Sequence, residues 1–66
     1  MPSKRFAMKL KDLRQARSMT QEALAKKAGV SRAYLARLEM GRHDPPLSRL
    51  QKLAKALGVG LAKLVE

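Results

Sequence analysis

The chain has 66 residues, enough for one small domain, because a chain of this length buries only about 60% of the surface that its unfolded form exposes. It contains no cysteine, so neither a disulfide nor a cysteine-based zinc site can supplement an apolar core. Fifteen Lys and Arg residues against five Asp and Glu residues give a formal net charge of +10. Because neutralising phosphates releases condensed counterions, this charge favours a polyanionic partner, of which nucleic acid is the usual one.

Membrane, metal and cofactor sites have little support in the sequence. The first segment, MPSKRFAMKLKDL, lacks the apolar core of a signal peptide, and no window approaches the roughly 20 apolar residues of a spanning helix. The only histidine, His43, lies beside Asp44, and two candidate ligands are too few for a metal site. We therefore expect a soluble, cytoplasmic protein with no metal and no cofactor.

The composition favours helices, since Leu, Ala, Lys, Arg and Gln dominate while Val, Ile and Thr are scarce. The sequence predicts a single all-α domain over residues 1–66, in which residues 1–5 form a flexible basic N-terminus. Helix 1 is predicted over about residues 6–17, because apolar residues recur there at spacings of three and four. These residues are Phe6, Leu10, Leu13 and Ala16.

Two short helices joined by a glycine are predicted next. Thr20 is placed to cap helix 2 through its hydroxyl, and Ser31 is placed to cap helix 3. Gly29 ends helix 2 because glycine enters the left-handed conformation without a Cβ penalty, and Gly41 ends helix 3 after Met40 for the same reason. The inward-facing residues of helix 2 are Leu24, Ala25 and Ala28.

Two further helices complete the chain. The prolines of the segment HDPP predict an extended or turned connection to helix 4. Helix 4 ends at Gly58, and its apolar stripe consists of Leu47, Leu50, Leu53, Ala54 and Leu57. The last helix, LAKLVE, has an apolar side formed by Leu61, Leu64 and Val65. Gly60 at its N-cap is a weaker cap than Ser or Asp, so this end is expected to fray.

Helix 3 divides into two unlike arcs when its residues are placed about 100° apart. The inward arc is mostly apolar and holds Tyr34, Leu35, Leu38 and Glu39. The outward arc holds Arg32, Ala33, Ala36, Arg37 and Met40. Two arginines flanking two alanines suit a DNA major groove, where Arg pairs with guanine O6 and N7 and an alanine methyl meets a thymine methyl. Helix 3 taken alone is equally compatible with a surface that merely happens to be basic.

Helices 2 and 3 together give a more specific pattern. Ala25 is small where two helices must approach closely, Gly29 occupies the turn, and Val30 fills the space beneath it. Two helices at roughly 90–120° with a short glycine-containing turn form a helix-turn-helix, whose second helix enters the major groove. We favour this interpretation over a plain helical bundle because several positions agree with it at once.

Nearly the whole chain resembles the phage-repressor (Cro-like, XRE) helix-turn-helix family. The similarity is carried by LKDLRQARSMTQEALAKKAGVS, YLARLEMGR and LQKLAKALGV, at about the family's spacing. The resemblance implies a compact, five-helix, lambda-repressor-like DNA-binding domain that usually acts as a dimer on a palindromic operator. It assigns base contacts to Arg32, Ala33 and Arg37. It assigns phosphate contacts to Thr20, Gln21, Tyr34 and Arg42, and the anion affinity of a helix N-terminus agrees with the role of Gln21.

Glu39 is a carboxylate on the inward arc of a cationic protein, so it needs a compensating charge. Arg14 lies at the edge of the apolar stripe of helix 1, and the resemblance pairs these two positions in a partly buried ion pair. The alternative is two unrelated solvated charges. We favour the pair, because an uncompensated buried charge costs roughly 3–5 kcal/mol.

Three residues depart from the family pattern. Met40 stands where a small polar residue is common, so a phosphate contact is expected to be missing there. Pro46 replaces a Ser or Thr cap for helix 4. Gly60 replaces a better cap near the surface that many relatives use to dimerise.

The function favoured by these patterns is that of a DNA-binding transcriptional regulator acting as a repressor. An enzyme is disfavoured, because Ser31 and Ser48 have no helical neighbour that could serve as a base and the five acidic residues form no evident pair. A DNA-binding antitoxin with a toxin partner stays open as an alternative. A cationic helical protein on a membrane surface is the other alternative, although such a protein does not need capped turns or a glycine at a tight helix junction.

Overall fold

The computed structural model describes residues 3–65. Within them the chain forms five α-helices and no strand, which confirms the all-α prediction. The helices are α1 (Ser3–Ala16), α2 (Gln21–Ala28), α3 (Arg32–Glu39), α4 (Leu47–Leu57) and α5 (Leu61–Val65). No helix in this part of the chain has the length and apolar character needed to cross a membrane.

Helix α1 is longer at its start than the sequence predicts. It begins at Ser3, so Lys4 and Arg5 are helical where a flexible N-terminus was expected, while Met1 and Pro2 lie outside the described residues. The prediction that Ala16 faces inward is wrong, because its side chain is exposed. At about 100° per residue Ala16 falls well outside the arc that the buried residues of α1 share. These buried residues are Phe6, Ala7, Leu10, Leu13 and Arg14.

The turns around α2 and α3 follow the predicted capping. The hydroxyl of Thr20 accepts a hydrogen bond from the Ala23 N–H at 3.0 Å, and the hydroxyl of Ser31 accepts one from the Tyr34 N–H at 3.0 Å. Gly29 ends α2 with φ +72°, a left-handed conformation that costs a residue with a Cβ roughly 1–2 kcal/mol. The turn therefore depends on two side-chain caps and one glycine, all of which can be recognised in the sequence.

The core draws on all five helices. Val30 and Tyr34 are half-buried and pack against it, as expected for Val30 beneath the turn. The Leu and Phe side chains that are fully buried are Phe6, Leu10, Leu24, Leu35, Leu38, Leu53, Leu57 and Leu64. Helix α4 packs against both α2 and α5, and α3 packs against both α1 and α2. The inner side of α3 is thereby fixed by its two neighbours.

Two further predicted core positions, on α4 and α5, are wrong. Leu47 is 59% exposed because burial along α4 begins only at Leu50, one turn into the helix. Val65 is 39% exposed because the five-residue helix α5 buries a single side, which Leu64 occupies. Ala56 is buried although it lies off the predicted stripe, since α4 is covered by helices on two sides.

Candidate nucleic-acid interface

The outer face of α3 consists of Arg32, Ala33 and Arg37, and all three side chains are exposed. The opposite side of the same helix is anchored by Leu35 and Leu38, whose exposed fraction is 0%. Anchoring one side fixes the helix axis and rotation, so the three outer side chains leave the domain in defined directions. This is the arrangement that a helix needs if it is to lie in a groove.

An ion pair joins α1 to the end of α3. Arg14 Nε donates to Glu39 Oε2 at 2.7 Å and Arg14 Nη2 donates to Glu39 Oε1 at 3.0 Å, so the pair is bidentate. Both side chains are shielded, with 10% and 4% of their surface exposed. The hydrogen bond to Glu39 raises the pKa of Arg14 above its usual value, and burial opposes this increase. The inward carboxylate of α3 is thus compensated.

Two further groups complete this network. Arg14 Nη1 donates to the carbonyl oxygen of Met19 at 2.6 Å, just before α2 begins. Gln21 Nε2 donates to Glu39 Oε1 at 3.1 Å, so the first residue of α2 is also tied to the end of α3. The sequence did not reveal either contact: the contact of Gln21 depends on how α2 meets α3, whereas the contact of Arg14 with Met19 is local to the end of α1 and the turn after it. No buried side-chain polar atom in residues 3–65 lacks a hydrogen-bond partner.

The residues assigned to phosphate contacts have different surroundings. Thr20 is exposed, and because its oxygen is the acceptor in the cap, its hydroxyl hydrogen stays available to an anion. Gln21 is half-buried and has one amide hydrogen committed to Glu39. Arg42 is exposed just after α3, and Tyr34 is half-buried on α3 itself.

The ring of Tyr34 lies against two side chains from other parts of the chain. The guanidinium carbon of Arg49, on α4, is 4.5 Å from the ring centroid of Tyr34. The imidazole of His43 stacks on the same ring, with centroids 6.4 Å apart and planes inclined by 16°. We call these three residues the Tyr34 cluster. Sequence reasoning gave Arg49 no role and considered His43 only as a metal ligand, so it missed the cluster.

These features define a class of protein. Two helices joined by a short glycine turn, the second anchored on one side and basic on the other, form a helix-turn-helix. The sequence pattern of the helix-turn-helix family matches residues 10–64. The chain belongs to this family of DNA-binding transcriptional regulators.

Similar proteins include phage repressors and controller proteins. The chain is 44% identical over 57 residues to the immunity repressor of Bacillus phage phi105, covering 86% of this chain and 40% of that protein. It is 49% identical over 51 residues to an HTH-type transcriptional regulator of Methanocaldococcus jannaschii, covering 77% of each chain. The restriction-modification controller protein C.AhdI from Aeromonas hydrophila superposes with a TM-score of 0.92 at 34% identity, covering 94% of each chain. The chain therefore spans about two fifths of the phage repressor but most of the other two proteins.

Proposed function

We propose that this chain represses transcription by binding a specific double-stranded DNA site through α3. The observation that carries the proposal is the anchoring of Leu35 and Leu38 in the core while Arg32, Ala33 and Arg37 lie on the opposite side of the helix. The repressor role is supported by the likeness to the phi105 immunity repressor. A cytoplasmic location belongs to the same proposal, because the DNA partner lies there.

The outer face of α3 reads base edges in the major groove. Arg32 and Arg37 each have a guanidinium fork that matches guanine O6 and N7, and such a bidentate pair discriminates against the wrong base by about 1–3 kcal/mol. Ala33 lies between them and offers a methyl group to thymine. Arg37 is one turn further along α3 than Ala33, so the two arginines contact different base pairs.

The phosphate contacts fix the position of α3 on the duplex and carry no sequence information themselves. Thr20 and Gln21 contact one phosphate group at the N-terminus of α2, where free N–H groups and the helix dipole favour an anion. Tyr34 and Arg42 contact the backbone from α3 and from the segment after it. Glu39 holds Gln21 through one amide hydrogen, which leaves the second amide hydrogen for the phosphate.

The operator is a palindrome bound by a homodimer. A symmetric dimer presents two copies of α3 to half-sites about one DNA turn, roughly 34 Å, apart. Exposed apolar side chains on the last two helices support an interface there, since Leu47 is 59% exposed and Val65 is 39% exposed. Large apolar side chains at the surface are what a second copy would cover.

Selection of binding sites from a random duplex pool tests this function. The protein is expected to enrich a two-fold symmetric motif at moderate salt, and its affinity is expected to fall as salt rises because counterions are released. Recovery of unenriched sequences, or failure to retain any duplex at low salt, would overturn the proposal. Enrichment of a single motif without two-fold symmetry would refute the palindromic operator but not the recognition of base edges by α3.

A further inference from the structure

The Tyr34 cluster lies at the junction of three segments. Tyr34 belongs to α3, His43 to the connection after it, and Arg49 to the first turn of α4. The arginine approaches the face of the ring at a distance typical of a cation–π contact, and the imidazole lies nearly parallel to the same ring. One aromatic ring therefore holds two nitrogen-bearing side chains in place.

The stacked arginine keeps its hydrogen-bonding capacity. A guanidinium has five N–H donors, and a cation–π contact through its positive charge leaves donors free for other partners. Within residues 3–65 the ion pair joins Arg14 and Glu39, and Arg49 is not paired with a carboxylate. Arg49 thus has a defined position over the Tyr34 ring and N–H donors that are not used by a carboxylate.

The neighbourhood of Arg49 is also favourable to an anion. Helix α4 begins after Pro46 with no side-chain cap, so its first N–H groups have no partner from a capping residue. Arg42, which is exposed, adds a positive charge to the segment that leads into the helix, and the exposed Asp44 in the same segment adds a negative charge, so the anion affinity depends on Arg49 and the free N–H groups. Stacking also lowers the entropy that an arginine side chain loses on binding, because the side chain is already ordered.

We propose that the Tyr34 cluster is a DNA phosphate-binding site in which Arg49 donates to a backbone phosphate and Tyr34 positions it. The inference rests on the proposed DNA-binding function and adds Arg49 to its phosphate contacts. The bound group is a phosphodiester of the duplex beside the groove that α3 enters. His43 packs on the ring and fixes its orientation.

Replacing Arg49 by alanine tests the contact against a matched variant. Lys55 is exposed on the same helix and lines a depression between α2 and α4, away from the Tyr34 ring. Lys55→Ala and Arg49→Ala therefore remove the same charge from α4 at different places. Binding to the selected operator is measured at several salt concentrations between about 0.05 and 0.3 M, where salt dependence is steep.

A direct phosphate contact predicts a specific difference. Arg49→Ala lowers the slope of log affinity against log salt by about one unit for each half-site, because each half-site loses one phosphate contact. On a symmetric operator bound by a dimer this is about two units, and it corresponds to roughly tenfold weaker binding per half-site at 0.1 M salt. Lys55→Ala keeps the wild-type slope and stays within about twofold of its affinity. Equal slopes and affinities for the two variants would overturn the proposal.

A second set of variants tests whether the ring positions Arg49. Tyr34→Phe keeps the ring and Tyr34→Leu removes it, while both keep an apolar side chain against the core. In the Phe background Arg49→Ala still weakens binding about tenfold per half-site, whereas in the Leu background the same change weakens it about twofold per half-site. An equal loss in both backgrounds would contradict the positioning role of Tyr34, and melting curves check that all variants fold.

The two proposals fail in distinguishable ways. If the wild-type protein retains no duplex at any salt concentration, the proposed function fails and the phosphate site fails with it. If the wild-type protein binds its operator and Arg49→Ala behaves as Lys55→Ala does, only the phosphate site at the Tyr34 cluster is refuted.

Discussion

Glu39, near the end of the helix with the outward-facing arginines, is held by a bidentate ion pair with Arg14 on the first helix. A carboxylate is the least favourable group to place near DNA phosphates, and here it is turned inward and shielded. Arg14 also donates to the carbonyl oxygen of Met19, in the segment that precedes α2. One arginine therefore connects α1 both to that segment and to the end of α3. The pair is therefore a structural support for the groove-facing helix.

Arg14→Ala is predicted to destabilise the fold. It leaves Glu39 buried without a compensating charge, at a cost of about 3–5 kcal/mol in the free energy of unfolding. Thermal melts measure the loss, and Arg17→Ala serves as the control because it removes an exposed positive charge close to the end of the same helix. An unchanged melting midpoint for Arg14→Ala would refute the structural role of the pair.

Removing both partners of the pair is predicted to be less harmful than removing one. Arg14→Met combined with Glu39→Leu eliminates both buried charges and fills the space with apolar atoms, which is often neutral for stability. The double variant should therefore melt at a higher temperature than Arg14→Met alone. A double variant no more stable than the single one would show that the hydrogen bonds to Met19 and Gln21, rather than the charges, decide the loss.

Gly29→Ala is predicted to cost about 1–2 kcal/mol, because residue 29 has a left-handed backbone conformation. The added Cβ would meet no atom within 4 Å, so strain in the backbone is the only structural cause. Gly60 supplies the comparison, since it has no positive φ and equally open space. Gly60→Ser is expected to stabilise α5 by a few tenths of a kcal/mol, roughly, through capping. Urea unfolding in which the Gly29→Ala variant proved more stable than wild type would contradict this account of the turn.

Leu47→Asp and Val65→Asp are each predicted to shift the proposed homodimer toward monomer. Both introduce a charge at an exposed apolar position of the last two helices, where a partner copy would have to desolvate it. Met8→Asp is the control, because Met8 is 63% exposed on α1. Sedimentation equilibrium across a range of concentrations gives the dissociation constants. The proposed interface is wrong if the Met8 variant dissociates as readily as the other two.

Local features of the sequence predicted most of the fold. Thr20 and Ser31 cap helices and Gly29 ends one, and each does so through contacts within about one helical turn along the chain. These roles can therefore be inferred without knowing the tertiary structure. The exposure of Leu47 and Val65 could not be inferred in this way, because apolar spacing does not show where neighbouring helices end.

The contacts between distant side chains were only partly predictable. The pairing of Arg14 with Glu39 followed from the family resemblance and from the need to compensate a carboxylate. The contact of Arg49 with the Tyr34 ring had no comparable signal, since it depends on the position of α4 relative to α3. The same holds for the hydrogen bond from Gln21 to Glu39.

Recognition of base edges by the outer face of α3 is tested most directly by site selection with single variants. Wild type, Arg32→Ala and Arg37→Ala are each used to select sites from the same random duplex pool. Each variant should lose preference at one base pair per half-site, at different positions for the two, with binding to the wild-type site weakened by about 1–3 kcal/mol per half-site. If both variants select the wild-type motif unchanged, the outer face of α3 does not specify the sequence.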